Sequence, residues 1–394
     1  MEHIDAIRRY IDAHRQEMLD LWRDLVNTES GPAQKEGVGA VCRRLCAELE
    51  AMRVHTRPVP MEDGSQVLVA DWDNGGEEAP VLLIGHMDTV FQPGAATKNP
   101  FRIDPDGTAH GPGVLDMKAG LVIALYAVKA LQSVGWAGRN VRFLFAGDEE
   151  TAHKNSDAKA VMAREARGCA AAFNFETGYL DDGIVVGRRG AAIVNFHIAG
   201  VSAHSGIEPE KGRSAILEAS HRIIALEALN DLPRSKLINC GVITGGESSN
   251  TVPDSCTITA SLRFPTIAIK EELLEDCRRI MEAPSTVPDT TATMRVGGVF
   301  DPMEHTQGVQ KLYELVEETA REIGYGPVHP FEVSGASDSS ISVNEGVPTV
   351  CAMGVRGAFN HTEREYAVVE SLFQRTLLAA ACIIRVQEKP CREG

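Results

Sequence analysis

The segment Val81–Gly120 constrains the fold of this chain more than any other part of the sequence. It opens with four apolar residues, continues as Gly-His86-Met-Asp88, and later contains Gly-Pro-Gly-Val-Leu-Asp116. An apolar run that ends in Gly-His-x-Asp predicts a buried parallel strand with polar residues at its carboxyl end, where open α/β sheets place their sites. Strand side chains alternate, so His86 and Asp88 point to the same side and can touch. This arrangement is typical of a metal-bound imidazole and its orienting carboxylate, although an isolated His-x-Asp is more often an ordinary hydrogen-bonded pair.

Two further predicted strands also end in acidic residues. A buried strand that begins at Val141 is followed by Glu149 and Glu150, and one that begins at Ala170 is followed by Glu176. The carboxyl ends of parallel strands meet at one edge of a sheet, so we expect these carboxylates to lie near His86 and Asp88.

Strands and helices alternate along the first part of the chain, which predicts an α/β fold with a mixed, largely parallel sheet flanked by helices. Two amphipathic helices, over residues 4–25 and 38–52, precede the strands. The order then changes to β-α-β-β-α-β, typical of a ferredoxin-like α+β sandwich of about a hundred residues, before the first pattern returns. We therefore expect one domain over 1–187 and 298–394, with the domain 188–297 inserted in it.

Composition excludes some classes of partner. The formal net charge of −16 argues against nucleic acid or an anionic membrane surface. No apolar run approaches the roughly 20 residues of a membrane span, and the first residues lack the apolar core of a signal peptide, so we expect a cytoplasmic protein. The 9 cysteines include no Cys-x-x-Cys pair, which predicts reduced, structural thiols.

Five residues that follow strands or lie in glycine-bounded loops are candidate metal ligands, namely His86, Asp116, Glu150, Glu176 and His361. They form two equal ligand sets if one carboxylate bridges. Two zinc ions about 3.5–4 Å apart carry four positive charges, which three carboxylates and a bound hydroxide balance. Without metal, the crowded carboxylates cannot all stay ionised. Neighbouring residues point apart, so Glu149 can act as general base while Glu150 ligates; a Glu-Glu pair elsewhere is ordinarily a solvated turn.

The motifs that contain these residues resemble those of the co-catalytic di-zinc amidohydrolases. This family includes glutamate carboxypeptidase, aminoacylase, acetylornithine deacetylase and succinyl-diaminopimelate desuccinylase. The matching segments run in family order through most of the chain and are Gly85–Val90, Gly111–Gly120, Asp148–Glu150, Glu176–Gly178, Ser202–Gly206, Asn250–Pro253, Leu262–Phe264 and His361–Glu365. The sequences Asp-Thr-Val-Phe and Gly-Pro-Gly-Val-x-Asp-Met-Lys are most similar to the glutamate carboxypeptidase-like branch. The resemblance implies a zinc-peptidase catalytic domain and an inserted lid that forms a homodimer.

The resemblance also implies a role for each matching ligand. Asp116 would bridge two zinc ions per chain, with Co2+ or Mn2+ as substitutes. His86 and Glu176 would complete one zinc site, and Glu150 and His361 the other.

Other matching residues would handle protons and substrate. Asp88 would orient the first histidine ligand, and Glu149 would move a proton from the bridging water to the leaving amine. His204 would reach the site of the partner subunit and hold the oxyanion, while Arg263 with Asn250 would grip the free carboxylate of the substrate. The alternatives are a surface histidine and an arginine in a salt bridge at the end of a strand. The resemblance further implies a cis peptide bond after Asp116.

Two segments depart from the family pattern. Thr151–Ser156 follows Glu150 where the family often has x-Gly-Ser, and Gly335-Ala-Ser337-Asp stands where Gly-Gly-Thr/Ser-Asp is common. We expect both segments to flank the substrate, with Gly335 and Ser337 as substrate-binding residues, so the departures concern specificity rather than metal binding.

We therefore expect a zinc metallopeptidase of the glutamate carboxypeptidase type, which hydrolyses an amide bond beside a free C-terminal carboxylate through a metal-bridging hydroxide. Its substrate would be a small peptide or an N-acyl amino acid. An N-acyl-amino-acid deacylase, dipeptidase or aminopeptidase of the same mechanism is the alternative. A catalytically silent dimeric binding protein is disfavoured by the complete set of ligands and base, and a structural zinc protein by the absence of a Cys/His set.

Overall fold

The computed structural model describes residues 3–389 and 391 and divides into two compact units. The first unit comprises the chain up to Val186, His305–Glu332 and the residues from Ser337 onward. The second unit comprises Gly187–Glu304 and Val333–Ala336. It thus extends beyond the expected insertion 188–297, and its function as a lid or dimerisation domain stays a prediction.

The first part of the chain begins with helices and continues with alternating strands and helices. In chain order these are α1 (Ile4–Ala13), α2 (Arg15–Asn27), α3 (Lys35–Ala51), β1 (His55–Pro60), β2 (Gln66–Trp72), β3 (Val81–His86), α4 (Ala95–Lys98), β4 (Arg102–Ile103), β5 (Thr108–His110), α5 (Lys118–Ser133), β6 (Val141–Ala146), α6 (Ala158–Ala166) and β7 (Ala171–Asn174). A 3-10 turn over Glu149–Thr151 follows β6. The single helix predicted over residues 4–25 is wrong, because the backbone leaves the helical conformation at His14. The sequence pattern does not show this break, because the helical spacing of apolar residues continues from α1 into α2.

The next part of the chain carries the second unit. The strand β8 (Gly183–Arg188) leads from the first unit into the second. The elements of the second unit are then β9 (Gly190–Ala199), β10 (Ala203–His204), α7 (Ala215–Glu227), β11 (Leu237–Gly245), β12 (Thr251–Val252), β13 (Ser255–Phe264), α8 (Ile267–Glu282) and β14 (Thr291–Phe300). The last part returns to the first unit with α9 (Gln307–Glu322), β15 (His329–Val333), α10 (Ser339–Asn344), β16 (Thr349–Val350), β17 (Gly357–Ala358), β18 (Tyr366–Val368) and α11 (Val369–Glu388).

The central sheet of the first unit has the order β1-β2-β6-β3-β7-β16. The strands β6, β3, β7 and β16 run parallel, whereas β1 and β2 pair antiparallel at one edge. The predicted mixed, largely parallel sheet flanked by helices is confirmed. All residues of β3 are buried, as a parallel strand covered on both faces requires. The carboxyl ends of β6, β3 and β7 therefore lie side by side.

Helices cover both faces of this sheet. On one face, α5 packs so closely on β3 that a Cβ atom added to Gly85 would lie 3.1 Å from Leu121 Cδ2. On the other face, Leu82 and Ile84 join a buried cluster with Met162 of α6. Because β3 is packed on both faces, the residues at its carboxyl end are held rigidly.

The second unit is built on an antiparallel sheet with the order β11-β13-β9-β14. Alternate residues of β9 are buried, and Val194 and Phe196 lie in an apolar cluster with residues of α7 and α8. Ile193, on the opposite face of the same strand, is exposed. The order β-α-β-β-α-β and this strand arrangement are those of a ferredoxin-like sandwich. In the part of the chain that the structure describes, no helix is long and apolar enough to span a bilayer.

Candidate metal centre

His86 ends β3 and is almost completely buried, at 1% exposure. Its Nδ1 atom lies 3.1 Å from the Asp88 carbonyl oxygen and 3.4 Å from Asp88 Oδ1. Its Nε2 atom lies 3.2 Å from Asp116 Oδ1 and 3.8 Å from Glu176 Oε1. One ring nitrogen is thus engaged by Asp88, and the other faces two carboxylates from neighbouring loops.

Asp88 also holds the turn that follows β6. Its carboxylate accepts the backbone N–H of Glu149 at 3.2 Å and of Glu150 at 3.0 Å. Two backbone donors and the imidazole of His86 therefore surround this buried carboxylate. The geometry links the end of β3 to the turn at the end of β6 and fixes the direction in which both glutamates leave the backbone.

Asp116 is positioned by a carboxylate that arrives from a distant part of the chain. Glu365 is buried and accepts the backbone N–H groups of Gly113 at 3.2 Å, Leu115 at 2.7 Å and Asp116 at 2.9 Å. The Asp116–Met117 peptide bond is cis, as the resemblance implies. The Asp116 side chain lies between His86 and His361.

His361 reaches Asp116 from the opposite side. Its Nε2 atom lies 3.2 Å from Asp116 Oδ2 and 3.2 Å from Glu150 Oε2. The other oxygen of Glu150, Oε1, is buried and has no hydrogen-bond partner among the described residues. A buried acceptor without a donor is a place where a cation can bind.

The five predicted ligands thus form two groups, each with ligand atoms within 4.8 Å of one another, and the groups are His86, Asp116 and Glu176, and Asp116, Glu150 and His361. Asp116 belongs to both and offers a different oxygen to each histidine. Three protein ligands of imidazole and carboxylate type, with a position left open, are typical of catalytic zinc sites. The same donors also suit other divalent transition metals. The residues therefore fit a pair of metal ions.

Burial and hydrogen bonding between charged groups raise the pKa values of several side chains in the metal-free site. Burial raises the pKa of Glu149 well above its usual range, and burial also raises the pKa of Glu150. Hydrogen bonds with Asp116 and Glu150 raise the pKa of His361 to about 11. The metal-free site consequently holds protons that bound metal ions would displace.

A cavity of about 510 Å³ adjoins the second group. His361 lines it together with Phe91, Pro112 and Lys98. Its volume lies in the range that accepts small organic ligands, and its lining combines apolar residues with polar ones and with the charged side chains of Lys98 and Glu363.

Four of the residues predicted to act on the substrate belong to the second unit, namely His204, Asn250, Arg263 and Gly335. His204 is exposed at the end of β10, where Thr251 is its strand partner. Arg263 donates to Ser261 Oγ at 3.0 Å and to the Leu262 carbonyl oxygen at 2.9 Å. The Asn250 carbonyl oxygen accepts the backbone N–H of a loop serine at 2.9 Å. The roles of His204, Asn250 and Arg263 toward a substrate stay predictions.

The remaining predicted substrate residues make internal contacts. The carbonyl oxygen of Gly335 accepts a hydrogen bond from Arg188 at 2.8 Å. The hydroxyl of Ser337 is buried, 2.6 Å from the hydroxyl of Ser339 and 3.4 Å from Asn174 Nδ2. Their substrate-binding roles also stay predictions.

The structure adds residues for which the sequence analysis assigned no role. Glu365 ends the segment His361–Glu365, which matches the family, but only the fold shows that it holds the loop before Asp116. Asn360 donates to Asp116 Oδ2 at 3.0 Å. His153 lies in the segment that departs from the family pattern, and no spacing or motif marks its contacts.

The fold and the paired ligand groups are those of a metallohydrolase. Residues 82–385 match the family model of peptidase family M20/M25/M40, and the chain belongs to this family of metal-dependent hydrolases. The predicted family and the prediction of an enzyme are thereby confirmed.

Named relatives differ in activity. Carboxypeptidase G2 of Pseudomonas sp. (strain RS-16) is 27% identical over 369 residues, which cover 91% of this chain and 87% of that protein. Succinyl-diaminopimelate desuccinylase of Hydrogenovibrio crunogenus is 25% identical over 355 residues, which cover 85% of this chain and 89% of that protein. Among solved structures, aminopeptidase PepT of Bacillus cereus has the same fold, with a TM-score of 0.80 and 24% identity over 94% of this chain and 98% of that one.

Proposed function

We propose that this enzyme is a di-zinc carboxypeptidase that releases a C-terminal residue from a small peptide or an N-acyl amino acid. The observation that carries the proposal is the pair of ligand groups that share Asp116, with Glu149 beside the ligand Glu150. The similarity to carboxypeptidase G2 over 91% of the chain supports this type of substrate. An N-acyl-amino-acid deacylase is the second candidate, because a succinyl-diaminopimelate desuccinylase is 25% identical to this chain.

Each group near the metal pair has a separate role in the proposed reaction. When bound, the metal pair supplies Lewis acidity and an acidified water. Glu149 takes the proton from the attacking water and delivers it to the leaving nitrogen, a task for which a carboxylate next to the candidate ligand Glu150 is suitably placed. Asp88 keeps Nε2 of His86 directed at Asp116 and holds the turn that carries Glu149.

Specificity for a C-terminal carboxylate is assigned to Arg263 with Asn250, since a guanidinium group matches a carboxylate in shape and charge. His204 supplies a donor where the carbonyl oxygen gains negative charge. Gly335 and Ser337 flank the substrate. The cavity beside His361 receives the acyl side of the substrate, because its size and partly apolar lining suit an organic group.

The enzyme is proposed to be a homodimer that associates through the second unit. The edge strand β11 exposes Val242 and Ile243, and α7 exposes Leu217 and Ile224. An edge strand and apolar side chains beside it favour association with a second copy. Light scattering of the purified protein should give twice the chain mass, and a monomer would contradict this part of the proposal.

The reaction is tested with a panel of dipeptides, N-acyl amino acids and acylated glutamates, with added zinc and with a chelator. Release of one C-terminal amino acid that stops on chelation is the expected result. Glu149→Ala should lower kcat by about 10²- to 10⁴-fold, the usual contribution of a general base, while two zinc ions remain bound. Glu149→Asp should retain a small part of the activity.

The matched control is Glu77→Ala, which removes an exposed glutamate in the loop before β3, at the end of the strand opposite His86. It should leave turnover unchanged. Wild-type turnover in Glu149→Ala would contradict the role of this residue, and release of only N-terminal residues would favour an aminopeptidase.

A further inference from the structure

The turn that carries Glu149 and Glu150 continues into a buried histidine. His153 is 5% exposed, with Nδ1 2.8 Å from Asp148 Oδ1 and Nε2 2.7 Å from Asp338 Oδ1. Carboxylate oxygens only accept hydrogen bonds, so both contacts form together only when both ring nitrogens carry a proton. The contacts therefore define His153 as an imidazolium ion between two aspartates.

The surroundings keep this charge in place. Burial alone lowers the pKa of His153, but the attraction of Asp338 and hydrogen bonds with both aspartates raise it to about 11. The ring is thus cationic at neutral pH. Because His153 is a cation, the group of His153, Asp148 and Asp338 carries one net negative charge instead of two.

His153 also closes the loop behind the proposed base. Ala152 and His153 both adopt left-handed backbone conformations, with φ of 62° and 53°. The backbone N–H of His153 donates to the Asp148 carbonyl oxygen at 3.1 Å, and the Ser156 hydroxyl donates to Asp148 Oδ2. The loop is therefore folded back on Asp148, and the imidazole joins it to Asp338, 185 residues further along the chain.

Asp338 brings a negative charge close to the proposed base. Its carboxylate is buried, and its negative charge repels that of Glu149. Its Oδ2 atom has no hydrogen-bond partner among the described residues. The positive charge of His153 therefore compensates the negative charge of Asp338 next to Glu149.

We propose that His153 is a positioning residue, whose imidazolium joins Asp148 to Asp338, orients the Glu149–Glu150 turn and offsets the charge of Asp338. The inference rests on the proposed function, because His153 acts on the reaction through Glu149. It also gives a role to the Thr151–Ser156 segment, in which this chain departs from the family pattern.

The test compares zinc-loaded wild type with His153→Gln, Asp338→Asn and the double variant. Glutamine keeps polar contacts but lacks the charge. His153→Gln should lower kcat by about 10- to 100-fold, the scale of a misplaced catalytic group, with KM within about twofold of wild type. The double variant should recover about tenfold of that loss, because the neutral pair no longer needs a cation. Asp338→Asn should stay near wild type, since its side-chain oxygen still accepts from His153.

A purely structural role predicts a different pattern, namely a lower melting temperature with unchanged kcat per zinc-loaded site and no recovery in the double variant. That pattern would overturn the proposal. If His153→Gln does not fold, Asp338→Leu replaces it, since leucine removes the acceptor but leaves the Asp148 contact. A reduction of kcat by about tenfold is then expected, and wild-type kcat would refute the proposal.

Hydrogen exchange separates this inference from the proposed function. Faster amide exchange over residues 149–156 in His153→Gln, restored in the double variant, is expected even if no substrate of the panel is hydrolysed. If the wild type shows no chelator-sensitive activity on the panel, that result counts against the proposed function but not against the positioning role of His153. Unchanged exchange over 149–156 in His153→Gln would overturn the positioning role.

Discussion

The two candidate histidine ligands of the metal centre are held in opposite ways. His86 ends a strand that is packed on both faces, and Asp88 engages its second ring nitrogen. His361 lies in a loop, has a left-handed backbone with φ of 63°, and exposes half of its side chain. The sheet therefore fixes one candidate histidine ligand before metal binds, whereas a loop carries the other.

This difference bears on metal affinity. A ligand group that is rigid without the metal loses little conformational entropy on binding, and a loop that must be ordered loses more. We expect the group of His86, Asp116 and Glu176 to bind its metal ion more tightly than the group of Asp116, Glu150 and His361.

The largest effect should come from Asp116, which the two groups share. Asp116→Ala removes one ligand from each group, so the affinity for both metal ions should fall by more than about 100-fold, beyond the effect of losing a supporting contact. Zinc analysis after desalting should find almost no metal, compared with two ions per chain in Glu77→Ala. Retention of either ion at wild-type affinity would show that this aspartate does not bridge.

Replacing each histidine in turn tests the comparison directly. His361→Ala should lose one metal ion and leave the stability of the metal-free chain nearly unchanged, because the ring is half exposed. His86→Ala should also lower the free energy of unfolding by roughly 2–3 kcal/mol, since it leaves buried polar partners without their contact. Zinc analysis and urea unfolding measure both effects, and equal losses of stability would remove the distinction.

The pH dependence of the stability of the metal-free protein also tests the comparison between the His86 strand and the His361 loop. The loop contains two groups with raised pKa values, His361 and Glu365. The folded pKa of His361 is about 11, above its ordinary value of 6.5, so its contribution to stability is complete below 6.5 and is lost as pH rises toward 11. Burial raises the pKa of Glu365 from its ordinary value of 4.5 to about 8, so the folded chain keeps a proton that the unfolded chain releases, and stability falls as pH rises from 4.5 to about 8.

Metal-free protein should therefore unfold at lower urea concentration at pH 9 than at pH 6. Zinc-loaded protein is the control, and stabilisation by zinc should grow over the same range because bound metal replaces the protons. A metal-free midpoint that rises with pH would contradict the assignment.

The smallest effect concerns the left-handed residues of the loops. Ala152 has φ of 62°, a conformation that glycine adopts without steric strain. Ala152→Gly should raise the free energy of unfolding by about 0.5 kcal/mol, the strain relieved less the extra entropy of the unfolded chain. Ala160→Gly, on an exposed position of α6, should lower it by about 1 kcal/mol. Equal changes in both variants would show that no strain exists at residue 152.

Much of the fold was predictable because apolar patterns report burial directly. The runs that form β3 and β6 are buried, and the acids after them show which edge of the sheet is polar. β1 was not predicted, since its two prolines argue against a strand, yet it is an exposed edge where proline is tolerated. A sequence pattern contains no information on which edge strand a segment will join.

The same limit applies to the site. The five ligands could be named from strand ends and motifs, and the structure brings them into two groups. Contacts made across long stretches of chain could not be inferred, such as those of Glu365 with the loop before Asp116 or of His153 with Asp338. Each depends on tertiary packing and leaves no periodic signal in the sequence.

The grip of Glu365 on the backbone of Gly113, Leu115 and Asp116 has a consequence for biosynthesis. The ribosome makes the residues of the first ligand group early, but the acceptor for these three N–H groups emerges about 250 residues after Asp116. Until then the aspartate has no fixed position, and His361 does not yet exist. A metal pair that uses all five candidate ligands can therefore form only after most of the chain has been synthesised.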